Sequence, residues 1–153
     1  MKIAVVSELF QPPFDEGCKV MNYYLTRVLK EKWLCKAFGP KHCTKIDIEV
    51  VRLRKTMVSR RLTNALKCFT PDILIYVPEA GATLYSFLRF KILQWMVKDA
   101  KVAMLSLQHR SYNSLEKMLI LIIRPKKVFV MTDNMAIKLS SLRVPVGLII
   151  AGV

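Results

Sequence analysis

At 153 residues, 53% hydrophobic and 24% charged, the chain fits one compact domain: too apolar for a disordered polypeptide and short for a two-domain enzyme. Its 25 basic and 11 acidic residues give a formal net charge of +14, which predicts attraction to phosphates, nucleic acid or anionic lipid without choosing among them. Cys18, Cys35, Cys43 and Cys68 show no C-x-x-C spacing, nothing at the N-terminus resembles a signal peptide, and no apolar stretch is long enough to cross a bilayer.

These features point to a cytoplasmic domain with buried or incidental thiols. Cys35, His42 and Cys43 fall short of the roughly four closely spaced ligands of a structural zinc site, so no metal is expected.

Lys2 to Ser7 (KIAVVS) is β-branched without polar alternation, as in a central strand covered on both faces. From Gly17 to Lys32, Met21, Tyr24, Leu25, Val28 and Leu29 recur at helical steps and predict a surface helix with that stripe buried. Cys35 to Phe38 and Ile46 to Leu53 read as strands, the second nearer an edge, and Thr56 to Phe69 as a basic helix that Pro71 ends. Ile73 to Val77 is a further buried strand, Thr83 to Lys98 a helix and Lys101 to Leu107 a strand. In the helix Asn113 to Arg124, Asn113 and Glu116 have capping-box spacing, and Pro125 stops it. Val128 to Met131 is a strand, Asp133 an N-cap for the helix Asn134 to Leu142, and Val146 to Ala151 the last strand.

Strands alternating with helices from end to end predict an α/β fold: a Rossmann-like, doubly wound, mostly parallel sheet of about six or seven strands with helices on both faces. In such a sheet ligands bind beyond the carboxyl ends of the strands, where strand order reverses, which draws attention to the loop after Ser7, ELFQPPFDEG. Gly17 there has two readings. It lets a ligand approach the main chain at the N-terminus of a helix, or it only permits a turn while Asp15 and Glu16 face the helix dipole. The glycines at 17, 39, 81, 147 and 152 form neither G-x-G-x-x-G nor a P-loop, which disfavours a nicotinamide dehydrogenase or a P-loop enzyme.

The opening MKIAVVSELFQPPFDEGCKVMNYYLTRVLKEK resembles the start of GT-B fold glycosyltransferases of family 4. TPDILIYVPEA, KVAMLSLQHRSY, KKVFVMTDNMAIKLSSL and VPVGLIIAGV resemble later segments of the same family, in the same order. The resemblance implies the N-terminal, acceptor-binding half of a retaining, metal-independent enzyme that uses a nucleotide-sugar donor and a lipid-linked or polysaccharide acceptor. It also implies a second, donor-binding domain absent from this sequence, without which the chain is inactive or nearly so, and no cofactor of its own. The sequence holds no D-x-D and no histidine cluster.

By the same resemblance, His109 matches the histidine that lies against the transferred sugar, where an imidazole can donate a hydrogen bond to a hydroxyl or to developing charge. Gly17 matches the second glycine of the phosphate-facing loop, with Glu16 where the first is usual. Glu79 and Arg110 are candidates for contacting acceptor hydroxyls or phosphate. Arg52, Arg54, Lys55, Arg60, Arg61 and Lys67 form a run without acids. With Leu62, Leu66 and Phe69 beside them, and Trp95 on the next helix, they suggest peripheral contact with an anionic membrane on its cytoplasmic side. The competing reading is a non-catalytic basic module for nucleic acid or a partner protein. Nucleic acid is disfavoured because the aromatic residues follow core spacing and form no stacking platform.

Overall fold

The computed structural model describes residues 1–10, 13, 16–39, 50–52, 59–79, 81–108, 110–123 and 125–149. In chain order these form β1 (Lys2–Ser7), α1 (Gly17–Lys32), β2 (Leu34–Gly39), β3 (Val50–Arg52), α2 (Arg60–Phe69) and β4 (Ile73–Val77). There follow α3 (Leu84–Met96), β5 (Lys101–Ser106), α4 (Ser114–Ile123), β6 (Val128–Val130), α5 (Asp133–Ser141) and β7 (Val146–Leu148). The strands make a seven-stranded parallel sheet in the order β3-β2-β1-β4-β5-β6-β7, the doubly wound Rossmann-like arrangement expected from the alternation of elements.

β1 is central, its register running Val6 against Phe38 on one side and Ser7 against Val77 on the other, so an unbroken apolar run is required. Alternate residues feed two cores. Ala4, Val6, Phe38, Leu74, Tyr76, Met104 and Val128 face the layer of α2 to α5 and meet Leu62, Leu66, Phe87, Phe90, Ile120 and Leu139. Ile3, Val5, Ala37, Val77 and Leu105 face α1.

Local chemistry sets the helix ends. Ser59 Oγ accepts from the N–H of Leu62 and starts α2; Thr83 Oγ1 accepts from the N–H of Ser86 and starts α3. Asn113 and Glu116 exchange hydrogen bonds of 2.8 and 3.0 Å, closing the capping box in front of α4. For α5 the cap residue is Thr132 rather than Asp133, which lies in the first turn.

The inward stripe of α1 differs from the hydrophobic pattern. Tyr24 and Val28 are exposed, whereas Asn22 and Thr26 are fully buried, between half-buried Cys18, Leu25 and Leu29. Thr26 satisfies its hydroxyl within the helix by donating to the Asn22 carbonyl at 2.8 Å, which removes the cost of placing it inside. The basic segment is likewise reoriented. Leu62, Leu66 and Phe69 are buried against the sheet instead of facing outward, with Arg60, Arg61 and Lys67 exposed. Arg52 lies in β3, while Arg54, Lys55 and residues 46–49 fall outside the described residues.

The Asn22 amide is buried with neither its nitrogen nor its oxygen hydrogen-bonded, beside a cavity of about 60 Å³ lined with Leu25, Leu105, Leu107 and Met131. An unsatisfied buried amide costs about 1–3 kcal/mol. Asn22→Leu is therefore expected to raise stability by about 1–2 kcal/mol, read as a higher urea midpoint at unchanged m-value.

Candidate functional site at the strand-order reversal

The order of strands reverses between β1 and β4, and the loops leaving β1, β4 and β5 meet at their carboxyl ends. Ser7, fully buried, accepts from the N–H of Leu9 at 3.0 Å, turning the chain sharply so that Leu9 and Phe10 dive into the core under α1. That turn leaves Glu8 at the crevice with its side chain 12% exposed.

Glu8, which no sequence motif marks, gathers partners from β4, α3 and the loop after β4. Its Oε1 pairs with the Arg89 guanidinium of α3 and accepts from the Tyr76 hydroxyl of β4 at 3.4 Å; its Oε2 accepts from the backbone N–H of Glu79 at 3.3 Å. Burial drives the Tyr76 phenol far above its ordinary pKa, and the Glu8 charge adds to the shift, so Tyr76 is a donor at every working pH. The one sequence signal was Tyr76 itself, since a hydroxyl inside the buried run ILIYV needs a polar partner.

The loop after β4 is tied in turn to the loop after β5. Gly81 adopts φ +52°, and a Cβ there would stand 2.9 Å from the carbonyl oxygen of Gln108, so only glycine allows this approach. The Tyr112 hydroxyl donates to the Ala82 carbonyl at 2.7 Å, with its ring against Phe87. Arg110 pairs with Glu116 at 3.0 Å, so the guanidinium expected to meet acceptor groups is held at the head of α4 by an ion partner. His109 falls outside the described residues. Gln108 and Arg110 on either side of it belong to the segment that leaves the carboxyl end of β5 and runs into α4.

The loop that leaves β1 leads to the N-terminus of α1. Its N-cap, Glu16, makes no side-chain capping bond and pairs instead with Lys19 at 3.1 Å, which neutralises the carboxylate that the resemblance set against a phosphate. Gly17 is already helical with no positive φ, so the helix start there does not depend on glycine's freedom, while Glu16 stands at the N-cap. Among the described residues, a Cβ at position 17 would meet nothing within 4 Å. The helix start thus offers backbone N–H groups and the positive end of its dipole to an anion. Glu79 keeps an exposed side chain while its backbone anchors Glu8. No group of three or more His, Cys, Asp or Glu among the described residues could hold a metal ion.

No family model matches the sequence, and no curated protein matches it. Among solved structures, the chain is similar to L-threonine 3-dehydrogenase from Trypanosoma brucei, with a TM-score of 0.54 at 8% identity over 84% of this chain. The match takes in 52% of that enzyme, so the chain spans about half its length. The likeness is one of fold: a Rossmann-like α/β sheet.

Two consequences are measurable. Glu8→Gln removes the charge that Arg89 and Tyr76 share and is expected to cost about 2 kcal/mol, reduced when Arg89→Met is made in the same chain, as a double-mutant cycle in urea would read. Burial pushes the Tyr112 phenol up to about 12. Because the folded state holds that proton more tightly, the stability it supports is complete below the ordinary tyrosine value and is lost as pH rises through the folded one. Tyr112→Phe is expected to lower stability by about 1 kcal/mol at neutral pH, through the lost bond to Ala82, and to make the decline above about pH 10 shallower.

Proposed function

We propose that this domain is the acceptor-side half of a retaining glycosyltransferase working in the cytoplasm, which transfers a sugar from a nucleotide-sugar donor to a lipid-linked or polysaccharide acceptor. The observation that supports the reading is the start of α1, where Glu16 makes no side-chain capping bond and a Cβ at Gly17 would meet none of the described residues, in the connection that leaves β1 at the reversal of strand order. That combination suits a ligand with an anionic diphosphate at one end and sugar hydroxyls at the other.

In this reading the first-turn N–H groups of α1 receive phosphate oxygen, and His109 donates a hydrogen bond to the transferred sugar as charge develops on it. Glu8, Arg89 and Tyr76 hold the crevice floor without touching substrate. Arg110, paired with Glu116, orients the segment that carries His109. A dehydrogenase reading gains nothing from the fold, because the glycine spacing that brings a dinucleotide pyrophosphate onto the first helix is missing from ELFQPPFDEG.

The test is transfer by the natural gene product, using labelled nucleotide sugars against lipid-linked and polysaccharide acceptors. Transfer is expected with at least one donor, to fall about 100-fold in His109→Ala, and to lose donor affinity in Gly17→Asp, which sets a carboxylate over the helix start. Absence of transfer from every nucleotide sugar, together with tight binding of a nicotinamide dinucleotide, would overturn the proposal.

A further inference from the structure

The outward faces of α3 and α4 break the rule that a helix on the surface of a folded domain is polar on its outer side. In α4 only Ile120 is buried; Leu115 is 61% exposed and Ile122 68%, with Met118 and Leu121 exposed between them. α3 lies alongside α4 and exposes Tyr85 (71%), Leu88 and Trp95 (65%), a stripe of helical spacing on the side away from the sheet. Isolated apolar residues on a surface need no explanation, but a patch running along two neighbouring helices does.

We infer that this α3–α4 face docks on the surface of an anionic lipid bilayer. The charge pattern selects that occupant. α3 carries Lys91 and no acid, besides the Arg89 that is paired with Glu8; Lys98 and Asp99, both exposed, follow it, and α4 carries Lys117 with exposed Lys126 shortly after its end. Glu116, the sole acid within the two helices, is already engaged by Arg110 and by the N–H of Asn113. An apolar face edged by Lys91, Lys117 and Lys126, with no unpaired carboxylate within α3 or α4, complements acyl chains beneath anionic headgroups. A second copy would bring together two chains that each carry +14, which opposes self-association through this face. Trp95 and Tyr85 are the amphipathic rings favoured at the headgroup level. No helix among the described residues is long and apolar enough to cross a membrane, so the contact is peripheral.

The docking stands without the sugar-transfer reading. Resting on that reading, it also narrows the acceptor to a lipid-linked one, because Tyr85 and Leu115 open their helices at the carboxyl end of the sheet, beside the crevice.

Vesicle flotation tests it apart from any transfer activity. The chain is expected to float with vesicles containing about 30 mol% phosphatidylglycerol and not with pure phosphatidylcholine. The double variant Leu115→Asp/Ile122→Asp is expected to bind at least about tenfold more weakly. Ile137→Asp, which changes an equally exposed residue on α5, is expected to bind as the parent does. The chain has two tryptophans, so in Trp33→Phe the emission comes from Trp95 and is expected to shift to the blue on binding. Unchanged urea midpoints in the aspartate variants separate lost docking from lost folding. Failure of the parent to float, flotation indifferent to the α4 substitutions, or a concentration-dependent dimer that those substitutions dissolve would each overturn the inference.

Discussion

A carboxylate that is 12% exposed must be met by donors, and the way Glu8 is met fixes the shape of the crevice. Left alone, a charge at that depth costs several kcal/mol of lost hydration. Three donors from three places answer it: a guanidinium from α3, a phenol from the middle of β4 and a backbone N–H from the loop beyond β4. None is adjacent to Glu8 in the chain. The residue that follows β1 therefore sets the position of the β4–α3 connection, and α3 cannot slide along the sheet without uncovering a charge.

From there the constraint passes along the rim. Gly81 presses against Gln108 with no room for a side chain, and Tyr112 reaches back to Ala82, so the loops after β4 and β5 share one conformation. Arg110 and Glu116 then join the second loop to the capping box of α4. The rim is a series of linked polar contacts, each anchored on a strand end or a helix start, which is the kind of support a binding geometry needs to hold within a fraction of an ångström. The N-terminus of α1 contrasts with it: the Glu16 side chain makes no capping bond, and none of the described residues lies within 4 Å of a Cβ placed at Gly17.

How much of this was legible beforehand follows from which forces are local. β1, α1 and β4 begin and end where the pattern places them, because an unbroken apolar run, a glycine helix start and the Thr70-Pro71-Asp72 break act within a few residues. The capping box of α4 was equally visible, since both partners lie within one turn. The buried face of α1 was not: Thr26 hides its hydroxyl by bonding to its own helix, which lets a polar residue take the place that counting assigned to Tyr24 and Val28. The apolar stripe of α2 was visible, but whether it meets sheet or lipid depends on the neighbouring elements. Glu8 escaped for a similar reason, its ion partner Arg89 lying 81 residues away. Of the site residues read from sequence, Gly17 opens α1 after the loop that leaves β1, Glu16 and Arg110 are tied to Lys19 and Glu116, and His109 lies outside the described residues.

The apolar excess of the composition also finds its place. Two cores account for much of it, and most of the remainder on the α2–α5 layer is displayed by α3 and α4. α3 has two roles that no other helix among the described residues combines: through Arg89 it grips the carboxylate at the crevice floor, and through Tyr85, Leu88 and Trp95 it presents an apolar stripe outward. One rigid rod carries both features, so whatever meets the stripe stands at a fixed distance and angle from the crevice. A group anchored in a surface under α3 would then reach the strand ends by its own length rather than by a movement of the protein, and the Glu8 network, by locking α3 to the sheet, is what makes that geometry constant.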